Sequence, residues 1–306
     1  MPPAETSLLT FLTEGRFSVK TGLLLEGGGT RGMFTAGILD RLMEEGITFD
    51  YAIGSSSGGT NVLNFMSGQK GRSKQLMDLP KKDSYCGKRE LLKTGKFLNL
   101  DKLYGTLSYR EDLRFDFDAY FASKTKGEYV VSNCHTGLPE YLSEEKDEIR
   151  LMEICKASSS LPLICSATKL DGNVYMDGSM TDPLPLQHCF DVGCDRVILI
   201  STKGEGMEPS NLGKFGFAMR ILYGRKFKPF IKACKTRLPL YFKQWDMVYE
   251  KEREGSVLLM HPQGAMAVSH LETDRNKLFA LYEEGYAYAG SRMEEIKAFL
   301  AFEERN

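Results

Sequence analysis

No stretch of this 306-residue chain is apolar for the roughly 18 or more residues that a bilayer crossing requires, so a transmembrane helix is not expected. Export by a cleaved signal is not expected either: Met1 to Lys20 has no basic start ahead of an apolar core, and Glu5, Glu14 and Arg16 interrupt it. Neither sign of charge dominates, since 40 Lys and Arg face 41 Asp and Glu, and a formal net charge of -1 gives no global argument for a nucleic-acid partner. C-x-x-C pairs are absent; the seven cysteines are odd in number and scattered, which reads as reduced, mostly buried thiols in a cytoplasmic protein. Histidine is scarce at 4 residues, and no His or carboxylate cluster has metal-ligand spacing, so neither a metal nor another cofactor is expected. There is no internal repeat and no low-complexity tract.

What is present is alternation of short apolar runs with helical periodicity. Leu23, Leu24 and Leu25 read as a strand buried on both faces, ended by glycines. Met33, Phe34, Ile38, Leu39 and Leu42 then recur at helical spacing as far as Gly46. The unit repeats: Phe49 to Ile53 is a strand, Gly54 to Gly59 a small-residue turn, and Asn61 to Met66 opens a second helix. Two such units in succession predict a mainly parallel sheet with crossover helices. Further strands are expected at Glu128 to Asn133, Asn173 to Met176, Arg196 to Ser201 and Val257 to Met260. Helices are expected at Glu148 to Ser158, Leu186 to Val192 and from Asp274 onward. Such a length is within what α/β enzymes use for one sheet. The expected organisation is an N-terminal extension over 1–20 and one domain over 21–306, with 68–125 and 204–254 as helical or loop caps.

Two turns carry chemistry. Gly27-Gly28-Gly29-Thr30-Arg31-Gly32 follows a strand and opens a helix, so its unpaired N–H groups suit a negative charge. The same string satisfies the dinucleotide fingerprint G-x-G-x-x-G, and on its own it leaves a nucleotide site open. Gly54-Ser55-Ser56-Ser57-Gly58 is G-x-S-x-G at a strand-to-helix junction, where small flanking residues permit the sharp bend that exposes a central serine. Its plain alternative is a helix cap, with Ser56 or Ser57 bonding first-turn amides. A dinucleotide site has no use for that second bend, whereas acyl transfer needs a nucleophile and a separate set of donors. Acyl transfer also needs a base. Asp177, in Met176-Asp177-Gly178-Ser179, ends a short strand and follows the serine in chain order; an Asp-Gly turn between strands is the alternative.

In that order the three motifs resemble those of the patatin-like phospholipase family: G-G-G-x-R-G, G-x-S-x-G, then D-G-G or D-G-A. The likeness runs from Thr21 to Ser201 and extends to Ala157-Ser158-Ser159-Ser160-Leu161-Pro162 and to Asp182-Pro183-Leu184-Pro185. The resemblance implies a three-layer α/β/α fold, a modified α/β-hydrolase, acting on a lipid ester through a Ser-Asp dyad. Ser56 would then be the nucleophile and Asp177 the general base. Gly28 and Gly29 N–H groups would hold the oxyanion, with Gly27 setting the turn, and Arg31 would support that loop or meet an anionic head group. The third motif departs from the family by ending in Ser179, which adds a hydroxyl beside the base.

A Ser-His-Asp triad would need one of His135, His188, His261 or His270, and His261 at a strand end is the best placed of them. From Pro209 to Trp245 every charged residue is basic (Lys214, Arg220, Arg225, Lys226, Lys228, Lys232, Lys235, Arg237 and Lys243) and aromatics are interleaved. That combination suits peripheral contact of 209–245 with an anionic membrane; the alternative is a helical cap whose aromatics join the core. Two other functions compete with the hydrolase: a non-catalytic lipid-surface or regulatory protein, and a nucleotide-binding oxidoreductase. Against the last, the acidic residue about 20 positions past the glycines, Asp50, falls at a strand's start.

Overall fold

A computed structural model describes residues 19–204, 216–264 and 268–301. Strands and helices alternate at first: β1 (Thr21–Leu25), α1 (Gly32–Glu44), β2 (Tyr51–Gly54), α2 (Ser57–Met66). Short helices follow, α3 (Arg72–Met77), α4 (Lys88–Thr94) and α5 (Phe117–Ala122), before β3 (Lys126–Asn133), β4 (Pro139–Leu142) and α6 (Glu148–Ser158). Then come β5 (Thr168–Leu170), β6 (Asn173–Asp177), α7 (Leu186–Asp191) and β7 (Arg196–Ile200). The last elements are α8 (Gly216–Tyr223), α9 (Lys228–Arg253), β8 (Val257–Met260), α10 (Arg275–Ser291) and α11 (Met293–Ala301).

The strands form one sheet in the order β5-β6-β3-β2-β1-β7-β8, with β4 also paired to β3. From β3 to β8 every neighbour is parallel, while β4, β6 and β5 are antiparallel additions at one side. Because side chains alternate along a strand, each apolar run serves two cores. Leu23 and Leu25, Ile198 and Ile200, and Leu258 and Met260 pack under α1, α2, α6 and α10, whereas Leu24, Val197, Leu199, Val257 and Leu259 meet Leu186 of α7 and Tyr241 and Val248 of α9. That is a three-layer α/β/α sandwich, as the family resemblance implied.

Several boundaries differ from the sequence reading. Helix α2 begins at Ser57, four residues before the expected start, since the small residues of the turn also serve as its first turn. Strands β4 and β5 were not expected; at four and three residues they are too short to produce a pattern. The stretch 68–125 packs on α1, α2 and α6 and carries helices and turns rather than strands. Residues 1–18 of the extension, and Pro209, Lys214 and Phe215 of the basic segment, lie outside the described residues. Among the described residues no helix is long and apolar enough to cross a membrane.

Candidate active site

Strand register sets the site's level. Gly54, the end of β2, pairs with Tyr129 of β3, so Ser56 lies two residues beyond that pair. Val131, also two residues beyond Tyr129, pairs across to Asp177 at the end of β6. The end of α6 ties the two together: Ser158 O accepts the Ser56 N–H and Ser160 O accepts the Asp177 N–H, each at 3.0 Å.

Ser56 adopts φ 55° and ψ -127°, a backbone conformation that a side chain resists and that the surrounding packing imposes. Gly58 shows why the bend is made of small residues, because a Cβ there would stand 2.1 Å from Leu25 O. The Ser56 side chain makes no capping bond to α2. Ser57 does not cap the helix either; its Oγ accepts the Gly28 N–H at 2.9 Å.

Asp177 is fully buried, and its Oδ1 accepts the Ser179 N–H at 2.9 Å. Its Oδ2 has no hydrogen-bond partner among the described residues. Burial pushes this carboxyl above its ordinary range, against the opposing pull of the Ser179 hydroxyl and N–H, the Ser56 hydroxyl and the Arg237 charge. The Ser56 hydroxyl is thus among the groups that favour the ionised form of Asp177.

Ser56, Asp177, Gly27, Gly28 and Gly29 line one cavity of about 220 Å³. Its remaining wall is mostly apolar, with Tyr85, Phe97, Leu98, Leu100 and Leu103 from the 68–125 stretch and Leu161, Met180 and Leu271 from elsewhere. Of the loop amides, Gly28 N–H is held by Ser57, Thr30 N–H by His270 O at 3.0 Å and Arg31 N–H by Gly28 O at 3.3 Å, while Gly29 N–H has no partner among the described residues. A pyrophosphate would need that whole row free, and Asp50 is itself occupied with the Thr21 N–H and hydroxyl. Both facts tell against a nucleotide site.

Arg31 is buried and does not line the cavity; Nε donates to Val268 O at 2.8 Å and Nη1 points to His270 Nε2 at 3.3 Å. Its bonds tie the glycine loop to the 268–270 stretch. His261 also stands outside the cavity lining, with Nδ1 on Pro262 O at 3.0 Å. His270 does line it, but its nitrogens face Arg31 and, at 3.0 Å, Gly28 O.

Three contributors were not legible in the sequence. His270 sits 242 positions from Gly28. Arg237 looked like one more surface cation, yet it lines the cavity and its Nε donates to Ser179 O at 2.6 Å. Below the glycine loop, Lys203 Nζ pairs with Glu26 Oε1 at 2.6 Å, and Tyr241 and Ser201 also bond that carboxylate. Burial pushes Glu26 up, but the Lys203 charge and these bonds hold it below its ordinary value.

A serine bend beside a glycine turn, both at the carboxyl ends of parallel strands in a three-layer α/β/α sandwich, marks out a narrow class. Residues 23–190 match the family model described as patatin-like phospholipase, more than half of the chain, and the protein belongs to that family. Residues 227–301 match a second model, described as a domain of unknown function. Among relatives, the uncharacterized protein YjjU of Escherichia coli is 28% identical over 188 residues, covering 60% of this chain and 52% of that protein. Lysophospholipase nte1 of Aspergillus niger is 23% identical over 292 residues, 90% of this chain and 18% of its own. The chain therefore spans about half of the first relative and under a fifth of the second. Among solved structures, VipD from Legionella pneumophila is similar at a TM-score of 0.47 and 11% identity, over 91% of this chain and 67% of that one.

Proposed function

We propose that this protein is a lipid acyl hydrolase, a carboxylic ester hydrolase of the phospholipase or lysophospholipase type, working through a Ser56-Asp177 dyad. One observation carries the reading: a serine on a strained bend, its side chain making no capping bond, shares a largely apolar cavity with a buried carboxyl whose Oδ2 has no partner among the described residues. Membership of the patatin-like family supports it.

In this mechanism Asp177 takes the Ser56 proton as Oγ bonds to the ester carbonyl carbon, and the carbonyl oxygen becomes the oxyanion. Gly29 N–H is free to receive that charge, and Gly28 N–H joins it once Ser57 Oγ yields. Collapse breaks the ester bond, with the proton passing from Asp177 to the departing alcohol. Water, deprotonated by the same carboxylate, then releases the acyl group and restores the serine. Arg237 has no carboxylate within ion-pair reach among the described residues, so an ester bearing a phosphate fits this cavity better than a neutral one. We further propose that 21–306 works as one catalytic unit in which 68–125 and 204–254 cap the site, and that the basic stretch 209–245 rests on anionic membrane.

A nitrophenyl ester assay on wild type and Ser56→Ala tests the chemistry. Loss of at least about 1,000-fold in turnover is expected for the variant; equal rates would remove Ser56 from the mechanism.

A further inference from the structure

A planar trans peptide unit points its carbonyl and the next residue's N–H in opposite directions, so whatever holds the one aims the other. The glycine loop has two such units, Gly27 O with Gly28 N–H and Gly28 O with Gly29 N–H. Thr202 Oγ1 donates to Gly27 O at 3.0 Å, which fixes the first. The second unit ends at Gly29, which sits at φ 60° without a side chain.

The carbonyl of that second unit, Gly28 O, accepts the Arg31 N–H at 3.3 Å, and His270 adds a second, shorter bond at 3.0 Å. Arginine carries donors alone, so the Arg31 Nη1 contact makes His270 Nε2 an acceptor; Nδ1 then bears the hydrogen and donates to Gly28 O. Burial, reinforced by the Arg31 charge, lowers the His270 pKa and favours this neutral form. The backbone doubles the grip: Thr30 N–H donates to His270 O at 3.0 Å, and Thr30 Oγ1 accepts the Glu272 N–H at 3.0 Å. The clamp, from Val268 to Glu272, lies within the match to the domain of unknown function, whereas the loop lies within the patatin-like match.

We propose that His270, braced by Arg31, is a positioning residue: it holds the Gly28 carbonyl and thereby keeps the Gly29 N–H aimed for the oxyanion. On this view one task of the C-terminal stretch is to set the donor loop of the N-terminal one. The catalytic half of the inference rests on the hydrolase reading; the clamp itself does not, and the experiment separates them.

His270→Phe keeps the bulk and removes both ring hydrogen bonds, while His270→Asn returns an N–H donor near the Nδ1 position. In the full chain, His270→Phe is expected to lower kcat by about 10-fold to 100-fold, below the roughly 100-fold to 1,000-fold lost with an oxyanion donor itself. KM should stay within about twofold, and His270→Asn should recover most of kcat. Hydrogen exchange gives a readout that needs no activity: amides over 27–31 should exchange about tenfold faster in His270→Phe, with β2 and β3 unchanged. Wild-type kcat in His270→Phe, where Ser56→Ala is inactive, overturns the inference and leaves the hydrolase reading standing. Should Ser56→Ala keep full activity, the hydrolase reading falls, and the exchange experiment alone decides the clamp. Unchanged loop exchange, or equal loss of protection in the loop and in β2 and β3, overturns the clamp in either case.

Discussion

A buried carboxyl costs free energy that an exposed one does not, and Asp177 meets that cost with few partners: one backbone N–H on Oδ1 and none on Oδ2 among the described residues. Its pKa is raised, so the folded state holds the proton at pH values where the unfolded chain has lost it. This contribution to stability is full below the unfolded pKa and disappears as pH rises through the folded one. Asp177→Asn should therefore raise Tm at neutral pH while abolishing turnover, and thermal melts at pH 4 and pH 8 should differ less in the variant than in wild type. In the proposed mechanism the carboxylate must be ionised to act, so the acid limb of kcat/KM is expected above the ordinary carboxylate range, about 4. The Ser179 hydroxyl pulls the other way, and Ser179→Gly, the residue the family prefers, should move that limb to higher pH. A limb that stays put in Ser179→Gly, or falls, would mean the hydroxyl does not act on the base.

Helix α9 is the element whose two sides do different work. Lys228, Lys232, Lys235, Pro239 and Phe242 follow one another at steps of four, three, four and three, and all are exposed. On the other side Phe230, Tyr241 and Val248 are buried, and Arg237 turns toward Ser179. Part of the basic segment joins the core, through Phe227, Phe230 and Tyr241, while Ile221, Leu222 and Phe242 are 63%, 64% and 51% exposed. None of the exposed cations from Arg220 to Lys243 pairs with a carboxylate among the described residues, which leaves their charge available to an anionic surface. Neutralising Arg220, Arg225, Lys226 and Lys228 should weaken binding to anionic vesicles by tenfold or more, given about 1 kcal/mol per basic residue near such a surface. Sedimentation with vesicles checks this, and unchanged binding would dispose of the membrane contact.

On the scale of the whole molecule, the match to the domain of unknown function is not a separate body. It supplies β8, hydrogen-bonded in register to β7, and α10, packed along α1. What could be read from the sequence follows from distance along the chain. Ser56, Asp177 and the glycine turn each announce themselves in a window of about six residues, because a sharp bend restricts its own composition. The parallel strands were legible for a like reason: Leu23 to Leu25 and Val197 to Ile200 are buried on both faces and leave continuous apolar runs. His270, Arg237 and the Glu26-Lys203 pair carry no local mark, since each is given its role by a partner many turns away in the chain.

The central claim is that Ser56 is a nucleophile activated in this cavity, and covalent labelling tests it most directly. Treated with a fluorophosphonate probe and digested, the wild-type protein should carry the label on the peptide containing Ser56, and Ser56→Ala should carry none. Label on another residue, or equal labelling of both proteins, would contradict it.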